Sequence, residues 1–233
     1  MKQLLVLCVL SGVLAVGCKS ASTTASAPAK EVTRKTASIP EGYTINTVGI
    51  LGIANTAGDP EAMQMEQYLV NALYGTEATH FRSVDGFAKD AELAGVKAEY
   101  DKLQAGWRSH RVADPTLLAK VCAATKYDAV MGMEVNSWQQ YKLQATEEGT
   151  SYTNLGVKLT LIAADAVTLW ESSALRKFES QPYDPSFNIR SDQSGLTRTT
   201  SQSAIPEPPK IERVAPELAA EAVQELPKLR QEP

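Results

Sequence analysis

Cys18 is the residue whose type and setting could do chemistry. It closes the stretch Leu14-Ala15-Val16-Gly17-Cys18, where an apolar run ends in small residues and then a thiol. A membrane-crossing helix needs roughly 20 apolar residues, and Leu4 to Val16 is too short for that and contains Ser11 and Gly12. The positive charge at Lys2, the apolar centre and the small residues before Cys18 are the three parts of an export signal over residues 1–17. The chemistry implied is thioether formation between the Cys18 sulfur and diacylglycerol, followed by cleavage before Cys18, which leaves acyl chains of the palmitate type as the anchor. Each buried methylene contributes about 0.8 kcal/mol, so two or three chains hold durably where one holds marginally. Ala15 and Gly17 also satisfy ordinary small-x-small cleavage, and simple secretion with an incidental cysteine is the competing reading. Lys19 follows the cysteine, which leans toward the outer membrane, with the domain on its periplasmic face.

The rest of the chain offers little else that could react. His80 and His110 have no cysteine or carboxylate at metal-ligand spacing, so no metal site is expected. No nucleophile elbow, P-loop or GxGxxG is present, and the glycines of VGILGIA belong to a strand pattern. Asp90, Glu92, Glu99 and Asp101 fall on the polar side of an amphipathic pattern and read as a solvated face. The expectation is therefore no catalytic residue, no cofactor and no enzyme; a hydrolytic or ligand-binding lipoprotein built from scattered residues is the weaker alternative. A formal charge of -4 argues against a nucleic-acid partner, which would need a basic face. Of the three cysteines, Cys8 leaves with the signal and Cys18 carries lipid. Cys122 remains alone and reads as a small packed hydrophobe, so packing must stabilise the mature chain without a disulfide.

Stepping outward from Cys18, residues 18–41 are rich in Ser, Thr and Ala and bury nothing, which makes them a flexible tether for the lipid-bearing cysteine. A periplasmic α/β domain is expected over residues 42–227. Ile45 to Ala54 is a continuous aliphatic run, the pattern of a buried strand. Asp59-Pro60 then supplies a helix cap, with Ala62, Met65, Leu69, Ala72 and Leu73 at helical spacing up to Gly75. Residues 79–84 read as a second strand. Leu93, Val96, Tyr100, Leu103 and Trp107 form one helical stripe, and Asp114-Pro115 opens another helix with Leu117, Leu118, Val121 and Cys122 inward. From Tyr127 a third strand begins, and the return through SYTNLGVKLTLIAAD sets Val157, Leu159, Leu161 and Ala163 opposite Lys158, Thr160 and Ile162. These make a long β-hairpin with a polar tip. Gly132 inside the buried strand reads as a site of close approach, and Trp170 as a core or sheet-edge aromatic. A further strand is expected at TLWESSALRKF, an extended loop over 180–213, and a last helix at PELAAEAVQEL. The fold class is a single α/β domain: a mixed, mostly antiparallel sheet flanked by helices.

With a lipobox, a polar tether, TVGILGIAN, ADPTLLAKVCAATKYDAVMGMEV and LTLIAADAVTLW in this order, the chain resembles one family of envelope lipoprotein domains. That family includes CsgG-like secretion lipoproteins, lipoprotein activators of peptidoglycan synthases, an exopolysaccharide-export lipoprotein and the N-terminal domain of TolB. The resemblance spans roughly residues 44–172 and lies in Tyr127 to Gly132 and in Asp165, Thr168 and Trp170, with a glycine missing and a shorter turn. It implies an interaction or scaffold module of envelope biogenesis that binds an envelope protein or its own copies through strand edges and the hairpin tip. The alternative is a subunit of a secretion or exopolysaccharide-export ring. A pore is disfavoured, because WQQYKLQATEEGTSYTN is too polar to face lipid on either side of a strand.

Overall fold

A computed structural model of the chain describes residues 39, 42–76, 80–184, 205–224 and 226. The signal 1–17, Cys18, nearly all of the tether 18–41 and residues 185–204 of the expected loop lie outside the described residues.

Five strands form one mixed sheet in the order β2-β1-β3-β4-β5. They are β1 (Thr47–Asn55), β2 (His80–Arg82), β3 (Ala129–Tyr141), β4 (Tyr152–Ala163) and β5 (Thr168–Glu179). β2 and β3 run parallel to β1, while the longer β3-β4 and β4-β5 ladders are antiparallel, as the fold class expected. Helices α1 (Met65–Tyr74) and α5 (Ile211–Val223) cover one face; α2 (Val84–Leu93), α3 (Lys97–His110) and α4 (Pro115–Thr125) cover the other. Each face has its own apolar core. Val157, Leu159, Leu161 and Ala163 point to the α1/α5 side, and Ile162 joins the α2–α4 side, as strand alternation requires.

Local chemistry explains most element boundaries. Asp59 caps a 3-10 turn, Pro60–Gln64, by accepting from the Glu61 N–H, and α1 proper begins only at Met65. Asp114 caps α4 by accepting from the Thr116 and Leu117 N–H groups, with Pro115 in the first turn. Three expectations need correction. Strand two stops at Arg82, because Ser83 accepts from the Gly86 N–H and opens α2. Leu93 is not on the α3 stripe: Gly95 at φ +72° breaks the helix, and Leu93 is 78% exposed while Phe87 and Ala91 turn inward. On α4, Leu117 packs half-buried against the core beside the fully buried Leu118, Val121 and Cys122, the inner face expected. Finally, α5 starts at Ile211, inside the segment expected to be loop to 213, and carries Pro216 within it. Ile211, Val214 and Ala215 are buried against the sheet, and that packing outweighs the proline's lost hydrogen bond.

Gly132 is where close approach is required. A Cβ there would lie 2.2 Å from Trp107 Cζ2, and the Trp107 indole N–H donates to the Met133 carbonyl at 3.1 Å. The missing side chain lets α3 lay its indole flat on the sheet. Trp170 is buried in the α1/α5 core.

Candidate functional site

The feature that departs from a compact α/β sandwich is the far end of the β3-β4 hairpin. β1 ends where Asn55 faces Val135, but β3 continues through Asn136 to Tyr141. At about 3.3 Å per residue, the hairpin overhangs β1 by about 20 Å before its turn. The opposite end of the sheet is where the described chain enters β1, through residues 42–46. There the Asn46 and Thr47 N–H groups donate to Asp128 Oδ2 at 2.8 and 3.0 Å, and the Tyr43 hydroxyl donates to Asp165 Oδ2 at 2.6 Å. That bond holds the Asp165 carboxyl below the usual carboxylate range. Where the chain comes in and where the hairpin turns are thus at opposite ends of β3.

Polar side chains build the tip. Tyr141 and Tyr152 face each other across the hairpin with ring centroids 5.2 Å apart, and Lys177 Nζ sits 4.4 Å from the Tyr152 ring. Glu147 Oε2 accepts from the Tyr141 hydroxyl at 2.6 Å and from the Gln144 N–H at 2.9 Å, and both bonds hold its carboxyl below the usual range. Ser151, fully buried, accepts from the Leu143 N–H at 3.0 Å and donates to the Pro206 carbonyl. Thr153 donates to the Pro209 carbonyl, and Lys142 pairs with Glu207. Gly149 exchanges two backbone hydrogen bonds with Tyr183. The segment leading into α5 therefore braces the tip, and among the described residues no helix packs on its Tyr141/Tyr152 side. At its root a cleft of about 500 Å³ opens between Glu61, Gln64, Gln140, Glu207, Lys210 and Glu212. With Glu207 already paired to Lys142, the lining sets Glu61 and Glu212 against Lys210, a polar rather than strongly charged cleft.

The reactive residue types are dispersed. His110 ends α3 in solvent, and His80 lies in β2. Among the described residues, no three His, Cys, Asp or Glu side chains group as metal ligands would. Cys122 is buried on α4, and burial pushes its thiol up to about 12, far from a reactive thiolate. Of the four carboxylates expected on a solvated face, Glu92 and Asp101 are exposed and Asp90 and Glu99 half-buried; Asp90 pairs with Arg82 and Tyr127, Glu99 with Lys120 and Asp101 with Lys97. Among the described residues, no helix is long and apolar enough to cross a membrane. Cys18, the lipidation candidate, lies outside them. Sequence reading located the hairpin but missed Ser151, Glu147 and the 205–210 brace. Their only sequence signal was a Ser and a Glu near a turn.

Neither a family model nor a curated protein matches this sequence. Solved structures share its chain path loosely. The PelC dodecamer of Paraburkholderia phytofirmans is 17% identical, covering 84% of this chain and 97% of its own, at a TM-score of 0.43. Lipoprotein GNA1162 of Neisseria meningitidis is 14% identical over 61% of this chain and 89% of its own, at 0.44. The LpoB C-terminal domain of Salmonella enterica is 10% identical over 58% and 85%, at 0.35. These are likenesses in the course of the backbone, and nothing about the present chain's partners is read from them.

Proposed function

We propose that the chain is a lipid-anchored periplasmic interaction module of envelope biogenesis, held to the outer membrane through Cys18 and acting by binding another envelope protein. One observation carries this reading. The overhanging hairpin, with its rigid polar-aromatic tip, sits at the end of the sheet opposite Tyr43, where the tether arrives. A body anchored from the Tyr43 end presents its hairpin away from the bilayer, where a partner can reach it. The tip offers hydrogen-bonding and aromatic surface that is already ordered, so binding there pays little for immobilising side chains.

The test is fractionation and co-purification of the full chain from native membranes. Wild type is expected in the outer-membrane fraction with a lipid-modified N-terminal cysteine by mass spectrometry. Cys18→Ala should move to the soluble fraction. The charge-reversed pair Lys142→Glu and Glu147→Lys should stay with the membrane and lose its co-purifying protein. A wild-type chain with a bare thiol in the soluble fraction overturns the anchor, and a partner retained by the hairpin variant overturns the docking surface.

A further inference from the structure

The opposite edge of the sheet carries a second feature. β2 pairs with β1 only from Thr47 to Gly49, whereas β1 runs on to Asn55. Past Gly49, Ser83 turns the chain away into α2, so from Ile50 onward this edge of β1 has no neighbouring strand among the described residues. Two of its backbone groups are bonded all the same, by side chains. The Leu51 carbonyl accepts from Gln104 Nε2 at 3.1 Å, and the Ile53 N–H donates to Glu66 Oε2 at 2.8 Å.

The positions of those two bonds are informative. Residues 51 and 53 flank Gly52. β1 is irregular here, its register against β3 shifting between Ile50 and Gly52 with Gly52 at φ +94°, and Leu51, Gly52 and Ile53 are buried beneath the side chains. A strand laid along this edge would meet the carbonyl of 51 and the N–H of 53 with the residue placed opposite Gly52. Gln104, reaching from α3 on one face, supplies the donor; Glu66, reaching from α1 on the other, supplies the acceptor. Together they occupy the two backbone groups that a residue of an added strand would bond. Arg108 Nη2 stands 3.9 Å from Glu66 Oε2 and 2.8 Å from where a Gly52 Cβ would lie. The Glu66 and Arg108 side chains are 26% and 42% exposed, so the plug lies at the surface.

We infer that this half-edge is a strand-addition slot, closed in the free protein by Glu66 and Gln104. Its occupant is a short extended segment of a partner protein, running parallel to β1 in line with β2, with an acidic side chain that replaces Glu66 beside Arg108. Unpaired strand edges are pairing templates, and adding an extended peptide to one is a recurrent recognition mode. The exchange is nearly balanced, because two side-chain hydrogen bonds are replaced by two from a backbone. The acidic preference follows from charge: once Glu66 swings out, Arg108 is left over the slot without its carboxylate. The inference rests on the reading of the chain as an interaction module but uses a surface remote from the hairpin.

The test uses the full chain and the capped peptide acetyl-Val-Thr-Glu-Val-Thr-amide, with two controls: the peptide N-methylated at its central residue, and the peptide with lysine there. Binding is followed by titration and by the amide resonance of Ile53. Wild type should bind the parent peptide weakly with a shift at Ile53. Glu66→Ala/Gln104→Ala should bind about tenfold tighter, since the two competing side-chain hydrogen bonds are gone and part of that gain is lost to rehydration. N-methylation should abolish binding, and lysine should weaken it. Glu66→Gln keeps an acceptor while releasing Arg108, and should fall between the two proteins; it stands in if the double variant does not fold. No Ile53 shift in any folded variant, or equal binding of the N-methylated peptide, overturns the slot. Either result leaves the hairpin test untouched, because that test reads membrane partners lost through Lys142 and Glu147.

Discussion

Tyr127 and Tyr141 each donate a phenolic proton to a carboxylate, Asp90 near the helix-covered base and Glu147 in the hairpin tip. The surroundings differ. Tyr127 packs against Phe87, with ring centroids 4.7 Å apart, and burial is the main reason its phenol is pushed up. Tyr141 is held up chiefly by its hydrogen bond to Glu147. The base is thus closed by apolar packing, to which a polar pair has been fitted; the tip is closed by polar bonds, to which packing contributes little. A region of the first kind resists change everywhere except in its volumes. A region of the second kind stays ordered through a few specific atoms and leaves its surface available to a partner.

The sharpest way to break the contrast is at Gly132. Gly132→Val would drive a branched side chain into Trp107 and should cost about 3 kcal/mol or more in urea-induced unfolding, or prevent folding. Trp107→Ala should cost about 3–5 kcal/mol alone, yet the double variant should fall well short of the sum, because each change relieves the other's clash or cavity. Next in size, Ser151→Ala removes the bond to Pro206 and leaves the Leu143 N–H without its acceptor, for an expected loss of about 1–3 kcal/mol. Hydrogen exchange should rise at Leu143, Gln144 and Gly149 and stay unchanged at Met131 and Met133. If the base amides also speed up, the two regions form one cooperative unit and the comparison fails.

Smaller still is the response to acid. Arg82 and Tyr127 hold Asp90 below the usual carboxylate range, and Tyr141 together with the Gln144 N–H does the same for Glu147. Both carboxylates therefore contribute stability that is present above the ordinary carboxylate value of about 4 and is lost as pH falls through their lowered folded values. Exchange at Gln144 and its neighbours should rise over that window before the base responds, since the tip is held by individual polar bonds of which this is one. Tyr141→Phe should shrink the hairpin part of this acid response, leaving the share due to the Gln144 N–H, and should leave the base part in place. The smallest effect is expected at the exposed helical pair Lys97–Asp101, where Asp101→Ala should change stability by about 0.5 kcal/mol or less.

Much of the base was legible in the residues. The aliphatic run of β1, the Asp114-Pro115 cap and the alternation in β4 each carry a short-range physical signal, and each element stands where that signal put it. Gly132 was legible too, since a glycine in a buried strand asks what comes close. α2 was not, because Gly86 and its charged neighbours dilute the apolar period, and only the packing of Phe87 beneath Gly49 and against Tyr100 makes the segment helical and inward-facing. Leu93 continued the stripe by spacing alone, and the turn at Gly95 took it out of register.

The sequence by itself determined which segments could be strand or helix, because those depend on neighbours a few residues away. Only the tertiary structure decided that Ser151 would lock onto Pro206, and that Gln104 and Glu66 would complete the bare edge of β1. Those bonds join atoms from distant parts of the chain. A hydrogen bond between such partners leaves no period and no local composition, so it becomes visible only once the fold has brought the two ends together.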